Sequence, residues 1–158
     1  IASFHAGSLR DVDMIGLLQR VSEASVAIDG EVVRSIGRGL LVLVGVRPED
    51  NEGAAVRLLE RLLKYRVFAD ADGKMNLSLI QVGGGLLLVP QFTLAADTRK
   101  GLRPGFSTAA APEVGRPLFE LFVATARKQH ETVECGVFGA DMQVSLVNDG
   151  PVTIWLES

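Results

Sequence analysis

The run Leu40-Leu41-Val42-Leu43-Val44-Gly45-Val46 constrains this chain more than any other segment. An extended strand points successive side chains to opposite faces, so an unbroken apolar run needs cover on both sides. Leu40 to Val46 therefore reads as a central strand. Shorter β-branched runs precede it at Leu17 to Val21, Ser25 to Ile28 and Val32 to Ile36, and Asp29-Gly30 between the last two is a hairpin signal. Further strand signals lie at Leu77 to Gln81, Leu86 to Val89, Val133 to Val137, Met142 to Val147 and Val152 to Leu156. The longest apolar runs are far too short to span a bilayer.

The periodicity becomes helical twice. Pro48-Glu49-Asp50 opens a helix with Asp50 or Asn51 as its cap, and Ala55, Val56, Leu59, Leu62, Leu63 and Arg66 follow at helical spacing. A second helix is predicted over Glu113 to His130, with Val114, Leu118, Leu121, Phe122 and Thr125 inward. Asp70-Ala71-Asp72-Gly73 and Gly83-Gly84-Gly85 are turns. Two main helices set among many strands predict an α+β domain over residues 14–158. Ile1 to Asp13 lacks periodicity and precedes Met14, so it is expected to be a cloning remnant or an upstream leader outside the fold.

The supply of reactive side chains excludes several chemistries. His5 falls in the leader, and His130 stands at a polar helix end, Arg127-Lys128-Gln129-His130-Glu131. A Ser-His-Asp or Cys-His device is therefore not expected. Neither is a zinc cage, since the only cysteine is Cys135. That cysteine excludes an internal disulfide framework and fits a reducing, cytoplasmic setting. No metal or cofactor is expected. A net charge of -3 gives no global basic footprint, which argues against affinity built mainly on phosphate contacts. It leaves room for a protein that grips only the end of an RNA.

Two loops can carry chemistry without titrating groups. Pro90-Gln91-Phe92-Thr93-Leu94 follows the strand Leu86 to Val89 directly. It reads either as a proline-stopped strand end or as a source of oxyanion donors, the N–H groups of Phe92 and Thr93. Asn148-Asp149-Gly150-Pro151-Val152-Thr153 has strong turn chemistry, and its Gly-Pro bond is open to either isomer.

Together these loops resemble the two signature motifs of the D-aminoacyl-tRNA deacylases. The similarity continues through Gln19-Arg20-Val21, Gly73-Lys74-Met75-Asn76-Leu77, Leu94-Ala95-Ala96-Asp97-Thr98 and Ala140-Asp141-Met142-Gln143-Val144, in family order from Met14 to Ser158. The resemblance implies a barrel-like, largely antiparallel sheet and a homodimer, with no membrane association. It implies hydrolysis of the ester at the 3′ end of D-aminoacyl-tRNA, and of glycyl-tRNA, which lacks a side chain to reject. Gln91, Phe92 and Thr93 would form the catalytic turn, Thr93 positioning rather than attacking. Gly150 and Pro151 would screen chirality from the partner subunit, held by Arg20. Phe138 and Met142 are candidate walls for the terminal adenine, with core packing as the alternative. Arg99, Lys100 and Arg103 are candidates for acceptor-end phosphates, with a solvated loop as the alternative. One departure stands out: the family's first motif usually begins with serine, where this chain has Pro90. Proline there resembles an animal deacylase acting on mischarged L-alanyl-tRNA, while Phe92 and Gly150-Pro151-Val152-Thr153 resemble the D-specific branch. The alternatives are that L-alanyl specificity and a nucleic-acid-binding dimer without catalysis.

Overall fold

A computed structural model describes residues 13–158. The leader before Asp13, with His5, lies outside the described residues. Leu40 to Val46 becomes strand β3 (Gly39–Gly45), and its side chains are buried to both sides as expected. Leu40, Val42 and Val44 face a core shared with the helices. Leu41 turns the other way, into a second core with Val21, Val26, Ile36, Leu87 and Val89. The sheet curls almost closed around this second core, because one strand is long enough to serve three neighbours. That strand, β1 (Ile15–Ile28), pairs through Ile15–Val21 with β3 and through Ala24–Ile28 with β2 (Glu31–Ile36). Along its other edge it pairs with β8 (Gln143–Glu157) over nearly its whole length.

The sequence reading divides both long strands, β1 at Ser22–Ala24 and β8 at Asn148. Each runs on as one strand because the two resume pairing on both sides of the interruption, with register shifts there, a pairing local sequence does not encode. The turn between β1 and β2 falls at Asp29-Gly30 as expected, both residues at positive φ.

The sheet is more mixed than expected. β3 runs parallel to β6 (Gly85–Pro90), and β6 runs parallel to β7 (Val133–Cys135). Parallel neighbours need crossovers, and the two main helices provide them. Helix α1 (Glu52–Lys64) lies between β3 and β6 in sequence, and α3 (Pro112–Gln129) lies between β6 and β7. At the crossing of β3 and β6 the backbones come very close. A Cβ on Gly39 would stand 1.9 Å from the Gly85 carbonyl oxygen, so only glycine fits there.

Local chemistry corrects two further expectations. The Leu77 to Gln81 segment is not a strand. A short strand β5 (Met75–Leu77) pairs with β4 (Phe68–Ala69), and then Ser78 and Gln81 form a reciprocal capping box that starts the four-residue helix α2 (Leu79–Val82). In α3 the inward face is Gly115, Leu118, Phe119, Phe122, Val123 and Ala126, so Val114 is exposed. No helix among the described residues is long and apolar enough to cross a membrane.

Helix α1 begins at Asn51, whose side chain accepts from the Ala54 N–H. Asp50 is therefore not the cap. Its carboxylate accepts instead from the Arg47 N–H at 2.6 Å, while its other oxygen is buried with no partner. Burial pushes the Asp50 carboxyl up to about 7 from an ordinary 3.8. The folded state thus holds an extra proton across that window, and stability falls as pH rises from about 4 to about 7, then levels off. Asp50→Asn should flatten this slope. Between pH 5 and pH 8 the variant should gain roughly 1–3 kcal/mol on the parent protein in urea unfolding. Parallel pH profiles for the two proteins would remove Asp50 as their source.

Candidate active site

The chain leaves β6 at Pro90 and turns at once into a single 3₁₀ turn, Phe92–Ala95. Gln91 is anchored by its N–H to the Val44 carbonyl at 2.8 Å. The Leu94 and Ala96 N–H groups are bound within the turn, to Gln91 and Thr93 carbonyls. The N–H groups of Phe92 and Thr93 begin the turn and donate to no acceptor among the described residues. Two unsatisfied donors on adjacent residues are the arrangement that receives a developing oxyanion. The Gln91 side-chain amide donates to the Thr93 hydroxyl, which orients that hydroxyl rather than activating it.

Phe92, 56% exposed, lies at the rim of an apolar cleft of about 480 Å³. Its walls are Pro90, Phe106, Phe138 and the segment Ala109–Pro112, completed by Ser107 and Gly139. No lining residue titrates. His130 is remote from this chemistry: its ring bonds the Gly84 carbonyl at 2.6 Å.

Phe106, which carries no signal in the sequence, also lines the cleft. Its ring meets that of Phe92 at 5.1 Å, tilted by 57°. Pro104-Gly105-Phe106 sits in an irregular loop, where no periodicity marks an aromatic residue as significant. Phe138 lines the cleft, with the Arg116 guanidinium 4.8 Å above its ring. Met142 does not. It packs beside the second core and against Gly136, behind the strand end that leads to Phe138.

The other motif forms a different structure from the predicted turn between strands. Val21 of β1 pairs with Asn148 of β8 and Gln19 pairs with Thr153, so Asp149, Gly150, Pro151 and Val152 bulge outward opposite the single residue Arg20. The neck of the bulge is clasped by Asn148, which accepts from the Val152 N–H at 2.7 Å and donates to the Thr153 hydroxyl at 2.8 Å. The Gly150–Pro151 bond is cis. Arg20 reaches the bulge as one arm of a bridge, donating Nε to the Asp149 carbonyl at 2.9 Å and Nη1 to the Val67 carbonyl at 2.7 Å. Gly150 and Pro151 are exposed and do not line the cleft beside Phe92.

Beyond the 3₁₀ turn, Asp97 and Gly105 exchange backbone hydrogen bonds at 2.7 and 2.9 Å, closing a loop that carries Arg99, Lys100 and Arg103. Arg99 is already committed: its guanidinium grips the Asp97 carboxylate at 2.9 and 2.8 Å. Those hydrogen bonds hold the Asp97 carboxyl down at about 2. Lys100 and Arg103 project from the same exposed loop.

Residues 17–157 match the family model described as D-Tyr-tRNA(Tyr) deacylase. The D-aminoacyl-tRNA deacylase of Pseudomonas fluorescens (strain Pf0-1) is 63% identical over 145 residues, covering 92% of this chain and all of that protein. The one from Thioalkalivibrio sulfidiphilus (strain HL-EbGR7) is 63% identical over 144 residues, covering 91% and 97%. The solved structure of a c-Myc DNA Unwinding Element Binding Protein superposes with a TM-score of 0.88 at 39% identity, over 91% of this chain and 98% of that one. A probable eukaryotic D-amino acid tRNA deacylase shares the fold at 19% identity, with a TM-score of 0.81 over 92% and 100%. The chain belongs to the D-Tyr-tRNA(Tyr) deacylase family, enzymes that hydrolyse ester bonds.

Proposed function

We propose that this chain removes D-amino acids from tRNA as a homodimer, cleaving the aminoacyl ester to release the free amino acid and tRNA. The observation that carries the proposal is the pair of unbound N–H groups on Phe92 and Thr93 at the rim of a cleft without titrating groups. An aminoacyl ester is already activated, so positioning plus oxyanion stabilisation suffices. Water attacks the ester carbonyl, the negative charge develops on the carbonyl oxygen against the donor pair, and the leaving ribose oxygen takes the proton that the attacking water gives up. In this reading the neighbouring 2′-hydroxyl of the terminal ribose assists the water, which removes the need for a histidine. Phe138 walls the terminal adenine, since bases stack on aromatic faces.

Chirality is screened by the Gly150–Pro151 bulge of a second copy. The bulge is exposed and absent from the walls of its own chain's cleft, which supports completion of the site across a dimer. Main-chain acceptors there take the D-substrate's ammonium group, and an L side chain collides with the bulge. Glycine has no side chain to collide and is accepted. The physiological role is proofreading of charged tRNA in the cytoplasm.

The test is hydrolysis of D-tyrosyl- and L-tyrosyl-tRNA side by side, with glycyl- and mischarged L-alanyl-tRNA included. Fast loss of the D-ester with the L-tyrosyl ester intact supports the proposal. Clearance of L-alanyl or glycyl esters alone would support the second reading, which Pro90 motivates because it lines the cleft. With no hydrolysis of any ester, a nucleic-acid-binding role without catalysis takes precedence, in keeping with the relative named for binding a DNA unwinding element.

Contact with the acceptor end gives a separate prediction. The loop holding Arg99, Lys100 and Arg103 touches phosphates, but Arg99 is already paired with Asp97. Replacing all three with alanine should therefore reduce the slope of log affinity against log salt by about 1.4, the value for two single-strand phosphate contacts, rather than about 2. An unchanged slope removes the loop from the footprint.

A further inference from the structure

We propose that Phe106 is a positioning residue for the donor turn, acting by holding Phe92. The inference rests on the deacylase reading above. The 3₁₀ turn is weakly built: it is one turn long, its N-cap Gln91 makes no side-chain capping bond, and its internal bonds from Leu94 and Ala96 are both 3.2 Å. A turn whose first two N–H groups must stay unsatisfied cannot be stiffened by bonding those groups. Its stiffness has to come through side chains. Phe92 is the side chain on the first of these donor residues, and Phe106 is its ring partner at 5.1 Å.

Phe106 is itself fixed to the same structure from both sides. On one side Gly105 exchanges two hydrogen bonds with Asp97, just after the turn. On the other, the Thr108 hydroxyl donates to the Ala95 carbonyl at 2.6 Å, inside the turn, and the Ala110 N–H donates to the Val46 carbonyl at 2.9 Å. The loop thus straps the turn and presses one aromatic ring on Phe92. Both rings remain about half exposed, at 56% and 45%, so this pair is not a core contact that stabilises the fold at large. Its specific effect is on where the Phe92 and Thr93 N–H vectors point. A small misalignment there weakens the transition state more than substrate binding.

The experiment compares Phe106→Ala, Phe106→Leu and Phe106→Tyr in the full chain, with steady-state hydrolysis of D-tyrosyl-tRNA and backbone ¹⁵N relaxation of free protein. For Phe106→Ala, kcat should fall about 30-fold with KM changed less than about 3-fold, because the lost interaction belongs to the transition state. Phe106→Tyr should restore kcat to within about 3-fold of the parent. The order parameters of Phe92 and Thr93 should drop from about 0.85 toward 0.6 in Phe106→Ala, with α1 and α3 unchanged. A raised KM with kcat intact would make Phe106 a substrate wall and overturn the inference, as would unchanged order parameters. If the parent protein hydrolyses no ester, the deacylase reading falls, and the order parameters alone decide whether Phe106 holds the turn. Should Phe106→Ala fail to fold, Phe106→Leu carries the same two readouts.

Discussion

Gly150→Ala should lower kcat/KM for D-tyrosyl-tRNA about 100-fold and shrink the D-over-L preference at least tenfold. Gly150 sits at φ +139°, a conformation that L-residues rarely adopt, and its surroundings are full. An added Cβ would stand 2.8 Å from Val152 Cγ2 and 2.9 Å from Arg20 Nη2. The bulge must move, or the guanidinium must leave it. Either response shifts the main-chain groups proposed to do the screening. The damage should stay local, since the bulge is exposed and lies outside both cores. Circular dichroism should show a normally folded chain whose melting temperature falls by only a few degrees, while ester hydrolysis is measured on D- and L-tyrosyl-tRNA. A variant that keeps the parent D-over-L ratio would show that chirality is read elsewhere.

The second large effect is expected at Arg20. Its side chain is only 16% exposed, and its planar fork spans two carbonyls on separate segments, Asp149 in the bulge and Val67 after α1. Lysine keeps the charge but offers a point-like ammonium that cannot hold both. Arg20→Lys should cost about 2 kcal/mol in urea unfolding, the scale of one charged hydrogen bond lost to a part-buried carbonyl. The D-over-L ratio should fall about tenfold, because the bulge loses its brace. The two substitutions disturb one contact, so their effects on selectivity should combine sub-additively. Full additivity would mean that Arg20 and Gly150 act independently.

How much of this was legible in the sequence depended on whether the relevant interaction was local. Asp29-Gly30 specified its hairpin, and the cap was narrowed to Asp50 or Asn51, of which Asn51 serves, because turn and cap chemistry operate over a few residues. The apolar run at Leu40 specified a strand with two covered faces, since burial on both sides needs only that residues be apolar. Leu77 to Gln81 misled, because a short apolar run fits a strand or a helix equally, and Ser78 with Gln81 decided the matter through a capping box. The parallel placement of β6 beside β3 depends on a Gly39–Gly85 approach between residues far apart in sequence. The same distinction held at the site. Gln91, Phe92 and Thr93 could be picked out as a motif, and so could Gly150 and Pro151. Phe106 could not, because its significance lies in a ring contact made by an irregular loop. Met142, named through its place in the Ala140–Val144 motif, lies just before β8 begins and packs against the second core.

The clasped bulge on β8 also bears on how this specificity can change over evolutionary time. Most enzymes offer selection a pocket lined with side chains, where single substitutions adjust preference by degrees. On the proposed reading the discriminating surface is peptide backbone, offered by Gly150 and Pro151 and secured by Asn148 and Arg20. Few point mutations can retune such a surface, and most of those that reach it break it. Drift elsewhere in the chain leaves it untouched. A filter of this kind has a small mutational target, and its routes to a new specificity run through lengthening or shortening the loop rather than through repainting it.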